Sequence, residues 1–518
     1  MFVNLPIAID GMSKKQFSTA VEMGQQVSLS NLKVIDLLAT NNQHSVKALS
    51  DGRIEDVYLF LPLDVMNSII NNAEIDCTIY DNDFDAVNMN PFYARRYGGM
   101  IASNSSTYIK YINTGPNSII TEFNIANDVN PSSSIYCLKG LQKLQLLNTN
   151  LTILPDIKNL QDLTSLIIKT DYGSIDQHLP PEFGQLISLS NLILSDIKNL
   201  EDLPDEIKYL IKLQSLTLEK IPNFNKIPDE SIGELTQLNT LNLIDLPNLS
   251  NMPSTMINLQ LLQQLEITNT NMTNIQIDIL GSLKSLKITF NSILQTIQIQ
   301  NLPLLQSLAI LSNKNLTFLD IENLPFTTTI SITNSAQLQS ISFINIPSIK
   351  SLDLSGCQLT IFPQSILTLK SLETLIMTSN QLSAIPLTLS TDLPNLRVLN
   401  LANNKLQGTI FQPPLVYIRE LYLSNNSLTS MDGIGKHISL QRLELDRNQI
   451  SSIPLEIMKL SSTLRQITMD YNLLNHIPYS MTNMVSLAAF SVRWNKIDSQ
   501  ERQYLLKLFN QSPVQPQF

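Results

Sequence analysis

The chain has 518 residues, too many for one compact core, and 43% of them are hydrophobic while only 6% are aromatic, which indicates an aliphatic interior. Charged residues make up 15% and the formal net charge is −10, so binding to nucleic-acid phosphates is not expected. No stretch approaches the roughly 18 apolar residues of a membrane span, and residues 1–10 lack a secretory pattern. These two observations favour a cytoplasmic protein. Delivery as an effector or a location in a virion stays open.

Residues 1–136 contain no repeat and are predicted to form a separate, small α+β domain that serves docking or assembly. Mixed hydrophobic patterning predicts helices at Ser13–Met23 and Leu29–Leu38. Alternating apolar residues predict strands over 57–61, 108–112 and 119–125.

Residues 91–99 of this domain combine aromatic rings, paired arginines and glycines in a loop-like segment. Because Tyr and Arg are frequent interface anchors, this segment is a candidate second contact loop, made of Phe92, Tyr93, Arg95, Arg96 and Tyr97. Nearby, residues 81–85 resemble the start of a calcium loop, but Ala86 replaces the required Gly and Phe92 stands where a bidentate Glu would close the site. No metal site is therefore expected.

A repeat of the form LxxLxLxxNxL dominates the rest of the chain, with 137–497 as its predicted domain. Its first apolar position recurs at residues 141, 163, 189, 213, 238, 262, 283, 305, 327, 349, 372, 396, 418, 440, 464 and 487. Such spacing predicts about sixteen short strands that pair into one concave parallel sheet. The ladder position holds Asn291, Asn313, Asn380, Asn404, Asn426, Asn448, Asn472 and Asn495, and Cys357 falls on it as a buried thiol.

The second half of each repeat indicates what covers the opposite side. An IPxxI pattern, as at 453–457, predicts a short helix or turn there, whereas an eleven-residue period between 283 and 349 predicts extended chain at 294–299, 316–321 and 338–343. Residues 498–501 match a capping box, which predicts the start of a helix that seals the C-terminal end of the core. Residues 513–518 are predicted to be a disordered tail, so that 498–518 forms a C-terminal cap and tail.

The repeated motif resembles that of the leucine-rich-repeat superfamily over residues 141–497, and its IPxxI half is similar to cytosolic repeats of signalling scaffolds and some bacterial effectors. The resemblance implies an α/β solenoid that binds proteins and needs no cofactor. No phosphate loop, HExxH, GxSxG or paired CxxC motif occurs, so an enzyme is not expected.

The repeat register also predicts which side chains face solvent on the concave sheet. The middle repeats place small Ser, Thr and Ala residues there, whereas the last four place aromatic and charged side chains. We hypothesise a partner-binding surface of Tyr422, Arg442, Glu444, Asp446, Arg447, Asp470, Tyr471, Arg493 and Trp494. A salt-bridged face with Trp494 packed on the cap is the competing interpretation.

Two functional classes stay open at this point. In the first, the chain is an intracellular scaffold or effector that recognises a protein through its concave face. In the second, it is a structural or host-attachment component of a larger viral or bacterial assembly, docked through residues 1–136.

Overall fold

In the computed structural model, the described residues are five short N-terminal strands together with residues 119–126, 135, 136, 138, 140–149, 153, 155–170, 177–512 and 516–518. The chain divides into two units, of which the first comprises residues 1–200 and 204–213 and the second residues 201–203 and 214–518.

The first unit opens with a four-stranded antiparallel sheet in the order β2-β1-β4-β3. These strands are β1 (Phe2–Leu5), β2 (Leu37–Leu38), β3 (Val46–Lys47) and β4 (Asp56–Leu59), the last of which overlaps the strand predicted at 57–61. The helix predicted at 13–23 lies outside the described residues. Of the helix predicted at 29–38 only Leu37 and Leu38 are described, and they are strand rather than helix because they pair with Phe2 and Val3.

A second sheet of this unit contains β5 (Tyr108–Ile112), β6 (Ile119–Ala126), β7 (Lys143–Leu147), β8 (Ser165–Lys169) and β9 (Asn191–Ser195). The predicted strands at 108–112 and 119–125 are thus confirmed. β5 pairs antiparallel with β6, and β6 to β9 then form a parallel ladder. Phe123 and Ile125 of β6 are buried, so the ladder includes a strand from the segment assigned above to the N-terminal domain.

The second unit contains the remaining strands, which are β10 (Ser215–Glu219), β11 (Thr240–Leu246), β12 (Gln264–Thr270), β13 (Asn274–Asp278), β14 (Ser285–Thr289), β15 (Thr296–Gln300), β16 (Ser307–Leu311), β17 (Phe318–Glu322), β18 (Thr329–Thr333), β19 (Ser340–Ile344), β20 (Ser351–Asp353), β21 (Thr374–Ile376), β22 (Val398–Asn400), β23 (Gln407–Gly408), β24 (Glu420–Tyr422), β25 (Ser427–Leu428), β26 (Arg442–Glu444), β27 (Gln466–Thr468) and β28 (Ala489–Ser491). Thirteen of them form one parallel ladder, the main sheet, which includes every strand of this unit except β13, β15, β17, β19, β23 and β25.

The predicted repeat register is confirmed throughout both units. Each of the sixteen anchors, from Leu141 to Leu487, is buried and precedes a strand of the ladder by two residues. Alternate strand residues such as Leu421 are also buried, because successive side chains of a strand point to opposite faces. The chain therefore folds as a leucine-rich-repeat solenoid with an aliphatic core.

The side opposite the main sheet changes along the chain, as the two sequence patterns predicted. β13, β15, β17 and β19 form a second parallel sheet where the eleven-residue period occurs. Outside that region, turns of 3-10 helix lie at Pro155–Asn159, Pro181–Gln185, Asp205–Tyr209, Ser254–Asn258, Gln364–Thr368, Ile434–Lys436, Leu455–Leu460 and Tyr479–Asn483, and short α-helices at α1 (Asp229–Ile232) and α2 (Leu389–Asp392). β23 and β25 make a separate two-stranded pair.

The predicted asparagine ladder satisfies backbone groups within the turns. Asn448 is typical: its Nδ2 donates to the carbonyls of Leu423 and Leu445, both at 3.0 Å, and its Oδ1 accepts from the Leu428 N–H at 3.0 Å. Cys357 takes the same place, fully buried, with its Sγ 3.3 Å from the Ile332 carbonyl. Burial also raises the pKa of the Cys357 thiol to about 11, and the buried ladder position predicted for this residue is confirmed.

The predicted C-terminal helix is confirmed, whereas residues 516–518 of the predicted disordered tail take part in the fold. Helix α3 (Ser499–Leu508), followed by a 3-10 turn at Phe509–Gln511, begins at Asp498, whose Oδ1 accepts from the N–H groups of Gln500 and Glu501, each at 2.8 Å. Beyond it, Gln517 pairs with the last strand of the main sheet through the Val492 N–H (2.8 Å) and the Phe490 carbonyl (2.9 Å). Residues 516–518 are therefore ordered, because they satisfy the backbone groups that the edge strand would otherwise expose.

Candidate functional site

The residue that precedes each ladder position adopts a left-handed backbone conformation in both units. Asn403 and Asn425 have φ values of 58° each, and the same values near 55° recur along the row. Asn, Asp, Ser and Gly accept this conformation at low cost, and most members of the row are of these types. In the last three repeats, however, the row holds Arg447, Tyr471 and Trp494.

These three side chains form one continuous stack, which we call the planar stack. The guanidinium carbon of Arg447 lies 4.6 Å from the ring centroid of Tyr471. The rings of Tyr471 and Trp494 stack on the other side, with centroids 5.8 Å apart and planes 15° from parallel. Tyr471 is 45% exposed and Trp494 68% exposed, so Trp494 faces solvent and is not packed on the cap as the competing interpretation supposed.

A second cluster joins three more of the hypothesised residues on the main sheet. The Arg442 guanidinium carbon lies 5.3 Å from the ring centroid of Tyr422, and its Nη2 donates to Glu444 at 2.6 Å. The Tyr422 hydroxyl donates to Glu420. Burial, and after it this bond to a carboxylate, raises the pKa of Tyr422 to about 12, while the bond to Glu444 raises the pKa of Arg442. Both groups hold fixed charge states at neutral pH.

Asp446 and Asp470 are used within the fold. Asp446 accepts hydrogen bonds from the Thr468 hydroxyl and from the backbone N–H of Asp470, both at 2.7 Å. Asp470 in turn accepts from the Ser491 hydroxyl at 2.5 Å and from the backbone N–H of Arg493 at 2.7 Å. Burial raises the pKa of Asp446. These carboxylates therefore brace the ends of β27 and β28, which the sequence pattern could not distinguish from exposed contact residues.

The remaining candidates fall in different places. Arg493 donates through Nη2 to the side chain of Gln517, so this guanidinium is already hydrogen-bonded to the C-terminal tail. The proposed second contact loop, from Phe92 to Tyr97, lies outside the described residues. The repeat register predicted Arg447, Tyr471 and Trp494 on the concave sheet, whereas they follow the strands, in the turn. In the sequence, each of these three residues stands immediately before a ladder asparagine, and this shared position is the signal by which they could have been grouped.

The stack and the cluster contain planar rings, guanidinium groups and the two carboxylates of Glu420 and Glu444, a set suited to contact with another molecule. Among the described residues, no group of three or more His, Cys, Asp or Glu side chains could hold a metal ion. In the same part of the chain, no helix is both long enough and apolar enough to cross a membrane.

Two family matches fall in the second unit. A family described as "Leucine Rich repeats (2 copies)" matches residues 370–413, and one described as "Leucine Rich Repeat" matches residues 348–369. Both agree with the anchors and strands described above.

Matches to individual proteins are of the same kind. The chain is 38% identical over 105 residues to an uncharacterized leucine-rich repeat-containing protein of Schizosaccharomyces pombe, covering 20% of this chain and 17% of that protein. It is 33% identical over 132 residues to osteomodulin of Bos taurus, covering 25% of this chain and 31% of osteomodulin. The chain thus spans less than a third of either relative. Among solved structures, YopM from Yersinia enterocolitica has a TM-score of 0.51 at 19% identity, covering 82% of this chain and 83% of YopM, a likeness of fold.

Proposed function

We propose that this leucine-rich-repeat protein is a non-enzymatic recognition protein, an intracellular scaffold or effector, that binds a protein partner through the planar stack. The observation that carries the proposal is the presence of three bulky planar side chains, in consecutive repeats, at a row of left-handed backbone positions. The leucine-rich-repeat fold itself is consistent with protein recognition.

The backbone cost makes this placement informative. A left-handed conformation costs a non-glycine residue roughly 1–2 kcal/mol, and Asn lowers that cost through local hydrogen bonds. Asn425 occupies the row in the neighbouring repeat, and its Nδ2 also donates to Oδ1 of Asn403, the row residue one repeat earlier, at 2.8 Å. Arg447, Tyr471 and Trp494 have no such compensation from an amide, and their stacking leaves large parts of both rings in water. Contact with a partner would bury the exposed rings and so compensate the conformational cost that the contacts within the fold leave uncompensated.

The chemistry of the surface favours a protein as that partner. Tyr, Trp and Arg are the side chains that most often dominate the binding energy of protein interfaces, because they bury large areas with few rotatable bonds. The adjacent repeats add Arg442 and Glu444, which are already paired and so keep a defined orientation. A partner with aromatic or guanidinium groups would extend the stack on the open face of Trp494.

The test compares affinity capture by the full chain and by two matched variants. Tyr471→Asn removes the central ring of the stack and introduces the residue best suited to that backbone. Tyr417→Asn removes a ring that is 52% exposed and that lies 5.4 Å from the guanidinium carbon of Arg397, in the turn before β24. Proteins that bind through the planar stack are expected to be retained by the wild type and by Tyr417→Asn and lost from Tyr471→Asn. Equal retention by all three chains would refute the proposal.

The alternative role, a structural or host-attachment component docked through residues 1–136, gives a different result in the same experiment. Cross-links between captured partners and the chain would then map to residues 1–136, among them Phe92, Tyr93 and Arg95, and neither tyrosine variant would change them.

A further inference from the structure

A second exposed ring occupies the same left-handed row far from the planar stack. Phe290 has a φ of 57° and is 60% exposed. Its equivalents in the repeats before and after are Asn269 and Ser312, both much shorter side chains. Strands of a sheet are about 4.8 Å apart, so Arg447 and Trp494 reach the ring of Tyr471 from the neighbouring repeats, whereas Phe290 has only short side chains at the two equivalent positions. In the described part of the chain, no other aromatic ring stacks on Phe290.

Phe290 lines a depression of ≈340 Å³ on the second unit. This volume lies within the range of small-molecule sites, about 300–1,000 Å³. The remaining lining is polar, and its members can donate or accept hydrogen bonds: Asp245, Thr268, Asn269, Ser292, Ser312 and Lys314.

The polar groups around the ring are arranged in a way that restricts the ligand. Asn269 donates from Nδ2 to the Asp245 carboxylate at 2.9 Å, which fixes both side chains and leaves the other carboxylate oxygen as an acceptor. Lys314 belongs to the repeat that follows Phe290, whereas Asp245 belongs to an earlier repeat, and both line the depression. One carboxylate and one ammonium cancel in formal charge, so the depression does not select for an ion of either sign.

From this juxtaposition of an exposed ring with paired donors and acceptors, we infer that the depression around Phe290 is a binding site for a neutral saccharide. A hexose carries hydroxyls that both donate and accept, which matches Asp245 on one side and Lys314 on the other. Its C–H face is apolar and suits the uncovered face of Phe290. An apolar ligand would leave the polar lining unpaired, and an anionic one would face the Asp245 carboxylate. The inference does not depend on the planar stack or on a protein partner.

The experiment is saturation-transfer NMR on the full chain with three probes: the methyl glycosides of glucose, galactose and mannose, at millimolar concentration. We expect transfer to the ring protons of at least one glycoside. Phe290→Asn should weaken that binding by about tenfold, since the stacking surface is lost, while Asn suits the left-handed backbone and preserves the fold. Asp245→Ala should weaken it by a similar factor.

Phe326→Asn is the matched control, because Phe326 is also 60% exposed but lies in the turn before β18, outside the depression. It should bind the glycoside as the wild type does, and so should Trp494→Ala. Absence of transfer to all three glycosides, or transfer that survives in Phe290→Asn, would overturn the inference. Loss of transfer in Phe326→Asn equal to that in Phe290→Asn would overturn it as well.

Discussion

The indole of Trp494 lies on the phenol ring of Tyr471, nearly parallel to it, in the turn that follows the last strand of the main sheet. The two residues occupy equivalent positions in consecutive repeats, so the stacking of the repeats brings them together although 22 residues separate them along the chain. Arg447 continues the series on the other side of Tyr471. Residues that recur at the same position of consecutive repeats thus lie side by side on the solenoid and form one surface.

Replacing Trp494 by Asn should change the free energy of unfolding by less than about 1 kcal/mol. The substitution removes an exposed ring contact worth roughly 0.5–1.5 kcal/mol and relieves a left-handed conformation of similar cost. Urea unfolding followed by circular dichroism measures the difference. Destabilisation of several kcal/mol would mean that Trp494 is a structural residue of the cap, and the case for a contact role would fail.

Replacing the ladder residue Asn448 by Ala should be far more damaging. It removes two donors and one acceptor from buried backbone groups, each worth about 1–3 kcal/mol when left unsatisfied. Asn425→Ala is the matched control, since Asn425 is exposed and its side chain bonds only to the Asn403 side chain among the described contacts. The same urea titration should show a loss of roughly 3 kcal/mol or more for Asn448→Ala and only about 1–2 kcal/mol for Asn425→Ala, the cost of placing Ala in the left-handed conformation of that residue.

Leu421→Asp should disrupt folding well beyond its own repeat. Leu421 is fully buried in β24, between β22 and β26, and a carboxylate there would have no partner. Because neighbouring repeats share one core, hydrogen exchange should increase across several strands on both sides. Tyr422→Asp, one residue later and directed to the other face, serves as the control. Faster exchange confined to residues 418–428 would contradict the shared core.

Stability should fall in mild acid because of His437. This ring is fully buried, its Nε2 accepts from the Leu415 N–H at 3.2 Å, and burial lowers its pKa below the ordinary 6.5. Above pH 6.5 the ring is neutral in both the folded and the unfolded chain, so its contribution to stability is complete. Below that pH the unfolded chain takes up a proton that the folded chain refuses, and stability is lost until the pH reaches the folded pKa.

The measurement is urea unfolding at about pH 8 and about pH 5.5 for the wild type and for His437→Leu, the residue found at equivalent positions in other repeats. The wild type should lose more stability than the variant between the two conditions, by at most about 1.4 kcal/mol, the linkage limit for one proton over one pH unit below 6.5. An identical pH dependence in both chains would show that His437 protonates freely in the folded state.

The regular part of this protein could be predicted from its sequence. Leu, Ile and Asn recur at regular intervals, and such a period predicts a single fold, the solenoid, because each repeat can bury its apolar residues only against the next repeat. The anchors, the Asn448 ladder position and the extended chain predicted at 294–299, where the structure has β15, follow from local pattern alone.

The tertiary structure decided what the individual polar and aromatic side chains do. Asp446 and Trp494 both occupy variable positions of the repeat, yet one accepts two hydrogen bonds within the fold and the other lies in water. The pairing of Gln517 with the last strand, and the depression around Phe290, depend on residues brought together from different repeats or from beyond them. A repeat pattern specifies which face a side chain occupies, but its partners depend on the neighbouring repeats, whose variable residues the pattern does not constrain.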